Sequence, residues 1–124
     1  MPSLNLDDNN ALYQVRAYQP GTVQINEIIY TVSVIISASQ LIENWAPQTI
    51  TELSAETLNA ALQLKPDILL LGTGSKLVFP PIEIYGHLIN QGIGIEVMDT
   101  SAACRTYNAL SAENRNVAAA LIIR

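Results

Sequence analysis

Hydrophobic residues follow three different spacings along the chain, and each spacing predicts its own kind of element. Residues 1–10 (MPSLNLDDNN) have no periodic apolar face and read as a flexible leader. From there Leu12, Val15 and Tyr18 punctuate polar residues as far as the turn pair Pro20-Gly21. β-Branched runs at 22–25 and 28–36, separated by Asn26-Glu27, extend this into a strand meander, since branched side chains pack well on a pleated surface. Residues 40–47 (QLIENWAP) have no clear period; the expectation is a single helical turn with Trp45 tucked onto the sheet. At 51–65 the spacing widens to the helical one, with Leu53, Leu58, Ala61, Leu62 and Leu64 largely on one face. Ser54 is the expected N-cap, Glu56 suits the first turn, and Pro66 stops the helix.

The third spacing is the uninterrupted apolar run. Residues 67–71, closed by Gly72-Thr73-Gly74, suit a central strand buried on both faces. Pro80-Pro81 opens a helix to about Gln91, with Ile82, Tyr85, Leu88 and Ile89 as its stripe and Gly92 as its end. Residues 93–98 predict a second central strand. Asp99 or Thr100 caps a third helix to about Glu113, and residues 117–123 form a last strand. Strands first, then alternating helices and strands, define an α/β layered domain with a mixed sheet: an N-terminal meander followed by β-α-β-α-β units. With no repeat or linker in view, residues 11–124 read as one domain.

Composition then removes several functions. The chain has 124 residues, 6 Lys+Arg against 11 Asp+Glu, and a net charge of −5. Nucleic acid is excluded as a partner, because binding it requires clustered Lys and Arg on phosphates. An anionic membrane surface is disfavoured for the same reason. Charged residues are only 14%, and seven Gln with ten Asn supply much of the remaining polarity. One cysteine permits no internal disulfide framework and fits a reducing compartment. The N-terminal stretch lacks the basic and apolar regions of a signal peptide. The longest apolar run is seven residues, where roughly 20 would span a bilayer. A cytoplasmic protein with no transmembrane segment is therefore expected.

Three segments carry a resemblance. They are Leu69-Leu70-Leu71-Gly72-Thr73-Gly74, then Gly92-Ile93-Gly94-Ile95-Glu96-Val97-Met98-Asp99-Thr100, then Ala103-Cys104-Arg105-Thr106-Tyr107-Asn108-Ala109-Leu110 leading into Glu113-Asn114-Arg115-Asn116-Val117-Ala118-Ala119-Ala120-Leu121. In this order the set resembles a family of small α/β proteins long labelled a domain of unknown function and typified by a methanogen protein. Its members include mitochondrial complex I assembly factor 3 and an adipogenesis-associated animal protein. The resemblance implies a three-layer fold with a central mixed sheet, no established enzymatic activity, and roles as assembly or regulatory partners of other proteins. It also suggests a link to membrane-protein biogenesis, because bacterial relatives are often encoded near export genes. Where the family shows Glu-Gly-Arg, this chain has Glu113-Asn114-Arg115. Asn best replaces Gly in a left-handed cap, so the turn is expected to survive.

Candidate chemistry concentrates where strands end. Gly72-Thr73-Gly74-Ser75-Lys76 looks like a phosphate loop, but Leu77 stands where the dinucleotide fingerprint needs Gly or Ala, and the Walker spacing is absent. A tight strand exit that needs glycine is the better reading. If the strands ending at Gly72 and near Asp99 are parallel neighbours, Thr73, Gly74, Ser75 and Lys76 approach Asp99, Thr100, Ser101 and Arg105. A helix N-terminus would then face a small anionic ligand or a peptide carboxylate. Cys104 lies on the flank of the buried helical stripe and reads as a small core thiol rather than a nucleophile. His87 reads as a half-exposed structural histidine. Glu96 is expected inside a central strand, with Arg105 or Arg115 as its ion-pair partner. No catalytic residue, metal site or cofactor is assigned. The leading expectation is a non-enzymatic interaction or assembly-factor-like protein with a protein partner. A binder of a small anion at the strand ends is the alternative, and a homodimer through the N-terminal hairpin is the third.

Overall fold

The computed structural model describes residues 11–124; the expected leader at 1–10 lies outside the described residues. Strands β1 (Val15–Gln19), β2 (Thr22–Ile25) and β3 (Ile28–Tyr30) form the expected antiparallel meander, joined by turns at Gly21 (φ 97°) and Asn26 (φ 52°). They make a three-stranded sheet of their own. Two asparagine side chains hold its outer backbone: Asn26 accepts from Gln14 N–H and donates to Leu12 O, and Asn108 accepts from Val15 N–H and donates to Val15 O.

The run 28–36, expected as one strand, is two. Ser33 N–H donates to the Gln48 side chain and Ser33 O accepts from Trp45 N–H, so this backbone is used crosswise instead of in a ladder. Beyond it β4 (Val34–Ser37) joins a second sheet, where Val34, Ile35 and Ile36 are fully buried while Ile28 and Ile29 on β3 are exposed. The expected helical turn at 40–47 is also replaced. Gln40 N–H donates to Ser37 Oγ, and the chain doubles back as β5 (Leu41–Ile42), antiparallel to β4. Trp45 is buried as expected, its indole N–H donating to Thr57 O at 2.8 Å.

The second sheet has the order β5-β4-β8-β6-β7, with β6 (Ile68–Gly72), β7 (Gly94–Met98) and β8 (Val117–Leu121). β6 is parallel to both β7 and β8, while β4 runs antiparallel to β8, so the sheet is mixed. The uninterrupted apolar runs are central, as their pattern demands. β7 is not: it forms an edge, and Glu96, expected inside a central strand with an arginine partner, is exposed. Water solvates a carboxylate there, and no ion pair is needed.

Helices cover both faces. Val34, Ile36, Leu70, Ala119, Leu121 and Ile123 point toward α3 (Thr100–Ala112) and the small sheet. Ile35, Leu69, Leu71, Ala118, Ala120 and Ile122 point toward α1 (Ala55–Leu58), the 3-10 segment Asn59–Leu64 and α2 (Ile82–Asn90). Period-two alternation along three adjacent strands thus divides the core in two, giving three layers. Truncating a fully buried Leu71 or Leu121 to Ala would cost about 2–5 kcal/mol.

The helix expected at 51–65 is one α turn continued as 3-10. Leu58, Ala61 and Leu64 are spaced by three and all buried, and a 3-10 winding aligns every third side chain on one ridge. Ser54 caps it, accepting from Thr57 N–H while its own N–H donates to Thr57 Oγ1. In α2, Ile84, Tyr85 and Leu88 face the core; Ile82 and Ile89, expected in the stripe, are exposed. Pro81 is the N-cap, and Gly92 (φ 84°) lies just past the end.

Candidate functional site

Parallel pairing of β6 with β7 brings the strand-end residues together. Thr73 N–H donates to Met98 O at 2.9 Å, and Thr100 N–H donates to Gly74 O at 2.9 Å. Gly74 (φ 104°) has the left-handed backbone that favours glycine, and a Cβ there would collide with the carbonyl of Arg124. Gly72 is needed for a different reason: a Cβ would stand 2.9 Å from Thr100 Oγ1, so its absence lets α3 sit close on β6.

Of the eight residues proposed at the strand ends, Gly74, Ser75, Asp99 and Ser101 border one open cleft of about 280 Å³. Tyr18, Gln19 and Pro20 form its other wall. Sequence spacing could not have located those three, because the β1–β2 turn is anchored there by Gly21 N–H donating to Ile123 O. Two others serve the fold. Thr100, fully buried, accepts from Gly74 N–H at 2.7 Å and donates to Ile122 O. Thr73 donates to Lys76 O and accepts from Val78 N–H. Lys76 is exposed and does not line this cleft. Arg105 borders a neighbouring, smaller cleft and donates to Ser101 Oγ at 2.7 Å.

The start of α3 offers an anion little. Thr100 N–H is bonded to Gly74 O, Ala102 N–H to the Asp99 carboxylate and Ala103 N–H to Asp99 O. Asp99 itself supplies the negative charge that a helix N-terminus favours. Tyr18 has its phenol pushed above the usual value by burial, with Cys104 and Asp99 adding to the effect. Burial likewise pushes the Cys104 thiol up to about 12 against the opposing pull of Arg105, so at neutral pH it is protonated and a poor nucleophile. His87 Nε2 lies 2.8 Å from Asn59 Oδ1, a bridge between α2 and the 3-10 segment. Among the described residues, no three His, Cys, Asp or Glu gather as a metal site requires.

The opposite face has what the sequence reading passed over. Leu77, Val78 and Phe79, in the loop from β6 to α2, are 51%, 41% and 68% exposed. Phe79 is the chain's one phenylalanine. A groove of about 360 Å³ runs beside them, walled by Ile50, Thr51 and Leu53 on one side and by Val78 to Pro81 and Ile84 on the other. The signal was in the sequence: LVFPP has no polar residue, and its two prolines prevent the run from becoming a strand.

A family model described as "Protein of unknown function (DUF498/DUF598)" matches residues 15–122. The chain belongs to that family. Within it, similarity extends to a "13 kDa major membrane protein" of Francisella tularensis subsp. holarctica (strain LVS), 34% identical over 108 residues that cover 86% of this chain and 88% of that one. The "NADH dehydrogenase (ubiquinone) 1 alpha subcomplex assembly factor 3" of Danio rerio is 40% identical over 80 residues, 63% of this chain and 46% of that protein. The chain thus spans less than half the length of that assembly factor. A crystal structure from Bordetella parapertussis superposes with a TM-score of 0.86 at 35% identity, covering 92% of this chain and 98% of the other. The resemblance read from the C-terminal half is borne out for the DUF498/DUF598 family, its assembly-factor members and its mixed α/β fold. No helix among the described residues is long and apolar enough to cross a membrane.

Proposed function

We propose that this DUF498/DUF598 protein is a non-enzymatic interaction protein of the assembly-factor kind, cytoplasmic, that holds a protein partner during membrane-protein or respiratory-complex biogenesis. The observation that carries the reading is the exposed apolar strip of residues 77–79 beside its groove. Large apolar side chains clustered on a surface are the usual mark of a docking face, and aromatic anchors dominate the energetics of such faces. Kinship with assembly factor 3 supports the direction, and its Francisella relative's name connects the family with membranes.

The test is capture of the tagged protein from a detergent-solubilised lysate of its own host, beside an untagged control and a Phe79→Ser variant. The expected result is enrichment of a membrane-complex subunit or export component that Phe79→Ser loses. Recovery of the protein alone would overturn the reading.

A further inference from the structure

The stretches of chain that build the groove beside Phe79 have a distinctive composition of charge. Residues 41–64 and 77–104 supply the 3-10 turn Ile50–Glu52, α1, the 3-10 segment after it, α2 and β7. Together these two stretches contain Glu43, Glu52, Glu56, Glu83, Glu96 and Asp99, and no lysine or arginine. The six cations of the chain lie elsewhere: Arg16, Lys65, Lys76, Arg105, Arg115 and Arg124. Lys76 directly precedes the strip, at the limit of the cation-free stretch.

Two of the carboxylates are exposed and adjoin residues of the groove's walls in sequence, without lining it themselves. Glu52 follows Ile50 and Thr51 on one wall, is exposed, and accepts from Gln48 N–H at 2.7 Å. Glu83 lies between Pro81 and Ile84 on the other and is exposed in the first turn of α2. Apolar contacts would supply affinity at the floor, while rim charges set which partner approaches and in which register. A second acidic, apolar surface meets like-charge repulsion here, as does an anionic membrane.

We propose that this groove docks a segment of a partner protein that is apolar on one side and bears Lys or Arg on its flanks, Phe79 and its neighbours taking the apolar side chains and Glu52 and Glu83 the cations. The assignment rests on the interaction reading above and names the partner's chemistry.

The probe is a fluorescein-labelled peptide of about 18 residues with Leu and Lys at amphipathic helical spacing. It is compared with a Leu–Glu counterpart and with a shuffled Leu–Lys peptide that has no apolar face. Fluorescence anisotropy in about 0.15 M salt limits long-range attraction to the net negative charge. The Leu–Lys peptide is expected to bind at least about tenfold tighter than either control, a difference of about 1.4 kcal/mol. Phe79→Ser should weaken it about fivefold or more, as expected of a central aromatic anchor. The double variant Glu52→Gln/Glu83→Gln should weaken it and flatten its salt dependence, whereas Glu113→Gln, at the far end of α3, should not. Circular dichroism confirms that each variant is folded, which the exposure of all these side chains leads one to expect.

Equal binding of the Leu–Lys and Leu–Glu peptides, or wild-type affinity in Phe79→Ser, would overturn the proposal. So would binding to phosphatidylglycerol vesicles that Phe79→Ser abolishes while the peptide fails to bind. If the peptide fails but Phe79→Ser still strips a partner from the lysate, the charge assignment falls and the interaction reading stands. If the peptide docks as expected while the lysate yields the protein alone, the groove's preference for a basic, apolar segment stands and its place in membrane-protein or respiratory-complex biogenesis falls.

Discussion

Thr100 joins three chain segments through one hydroxyl. It accepts from Gly74 N–H, donates to Ile122 O, and is wholly buried. Replacing it with valine keeps the shape and leaves a buried donor and a buried acceptor unpaired, at about 1–3 kcal/mol each. Thr100→Val should lower the urea midpoint markedly with an unchanged slope, whereas Thr100→Ser should lose far less; a larger loss in Thr100→Ser than in Thr100→Val would show that the methyl group, and not the hydroxyl, holds this site. Sequence spacing brought Thr100 to the strand ends, where its hydroxyl is taken up by two bonds within the fold. Helix caps and parallel strand ends are local patterns, so Gly74 and Thr100 could be paired on paper. The bond to Ile122, across the sheet, follows no spacing rule and gives this hydroxyl a structural role. Phe79 was missed for the opposite reason: apolar residues are read as core until burial is measured.

At the level of elements, termini were the most legible features and strand positions the least. Ser54 caps as read, and Asn114 takes the left-handed conformation (φ 61°) expected of a residue standing in for glycine. Arg115 N–H then donates back to Leu110 O, turning the chain into β8. The Arg115 backbone thus fixes this turn while its side chain is exposed. Asn114→Gly should therefore change stability by a few tenths of a kcal/mol at most, while Asn114→Ala should cost about 1 kcal/mol, because alanine lacks the short polar side chain that lets asparagine tolerate left-handed space. Thermal melts of the two variants decide it; equal effects would mean that the Asn side chain, not the backbone, matters. What separated β7 from the centre was not legible, because an edge strand packed on one helix keeps nearly the same apolar run as a buried one. Glu96 was the clue, a mid-strand charge of the kind that protects open edges. The break between β3 and β4 had no such marker, since the crosswise bonds of Ser33 come from Trp45 and Gln48, far along the chain.

For the molecule as a whole, the layers followed from the alternation of strands and helices, whereas the division into two sheets and the position of the apolar groove emerged only from the folded structure. The core on the α3 side buries two acids in their neutral forms, Cys104 and Tyr107, and burial raises the pKa of both. Below about pH 9 the Cys104 thiol is protonated in folded and unfolded chains alike, and its contribution to stability is fully present. Above that the unfolded chain releases the proton while the folded one holds it to about 12, so stability falls by about 1.4 kcal/mol per pH unit from this group. Calorimetry between pH 8 and about 11 should show a melting temperature that drops with pH, less steeply in Cys104→Ala; parallel curves would remove the thiol from the account.

The place of β8 has a consequence in time. It lies between β4 and β6, yet it follows both in sequence, so a ribosome delivers the sheet's middle after its sides. Until residues 117–121 emerge, β4 and β6 have no strand to join them, and the hydrogen-bonding edge of each that β8 will pair stays open. The sheet therefore closes only once its last strand has been made, and its middle is built entirely from pairings distant in sequence.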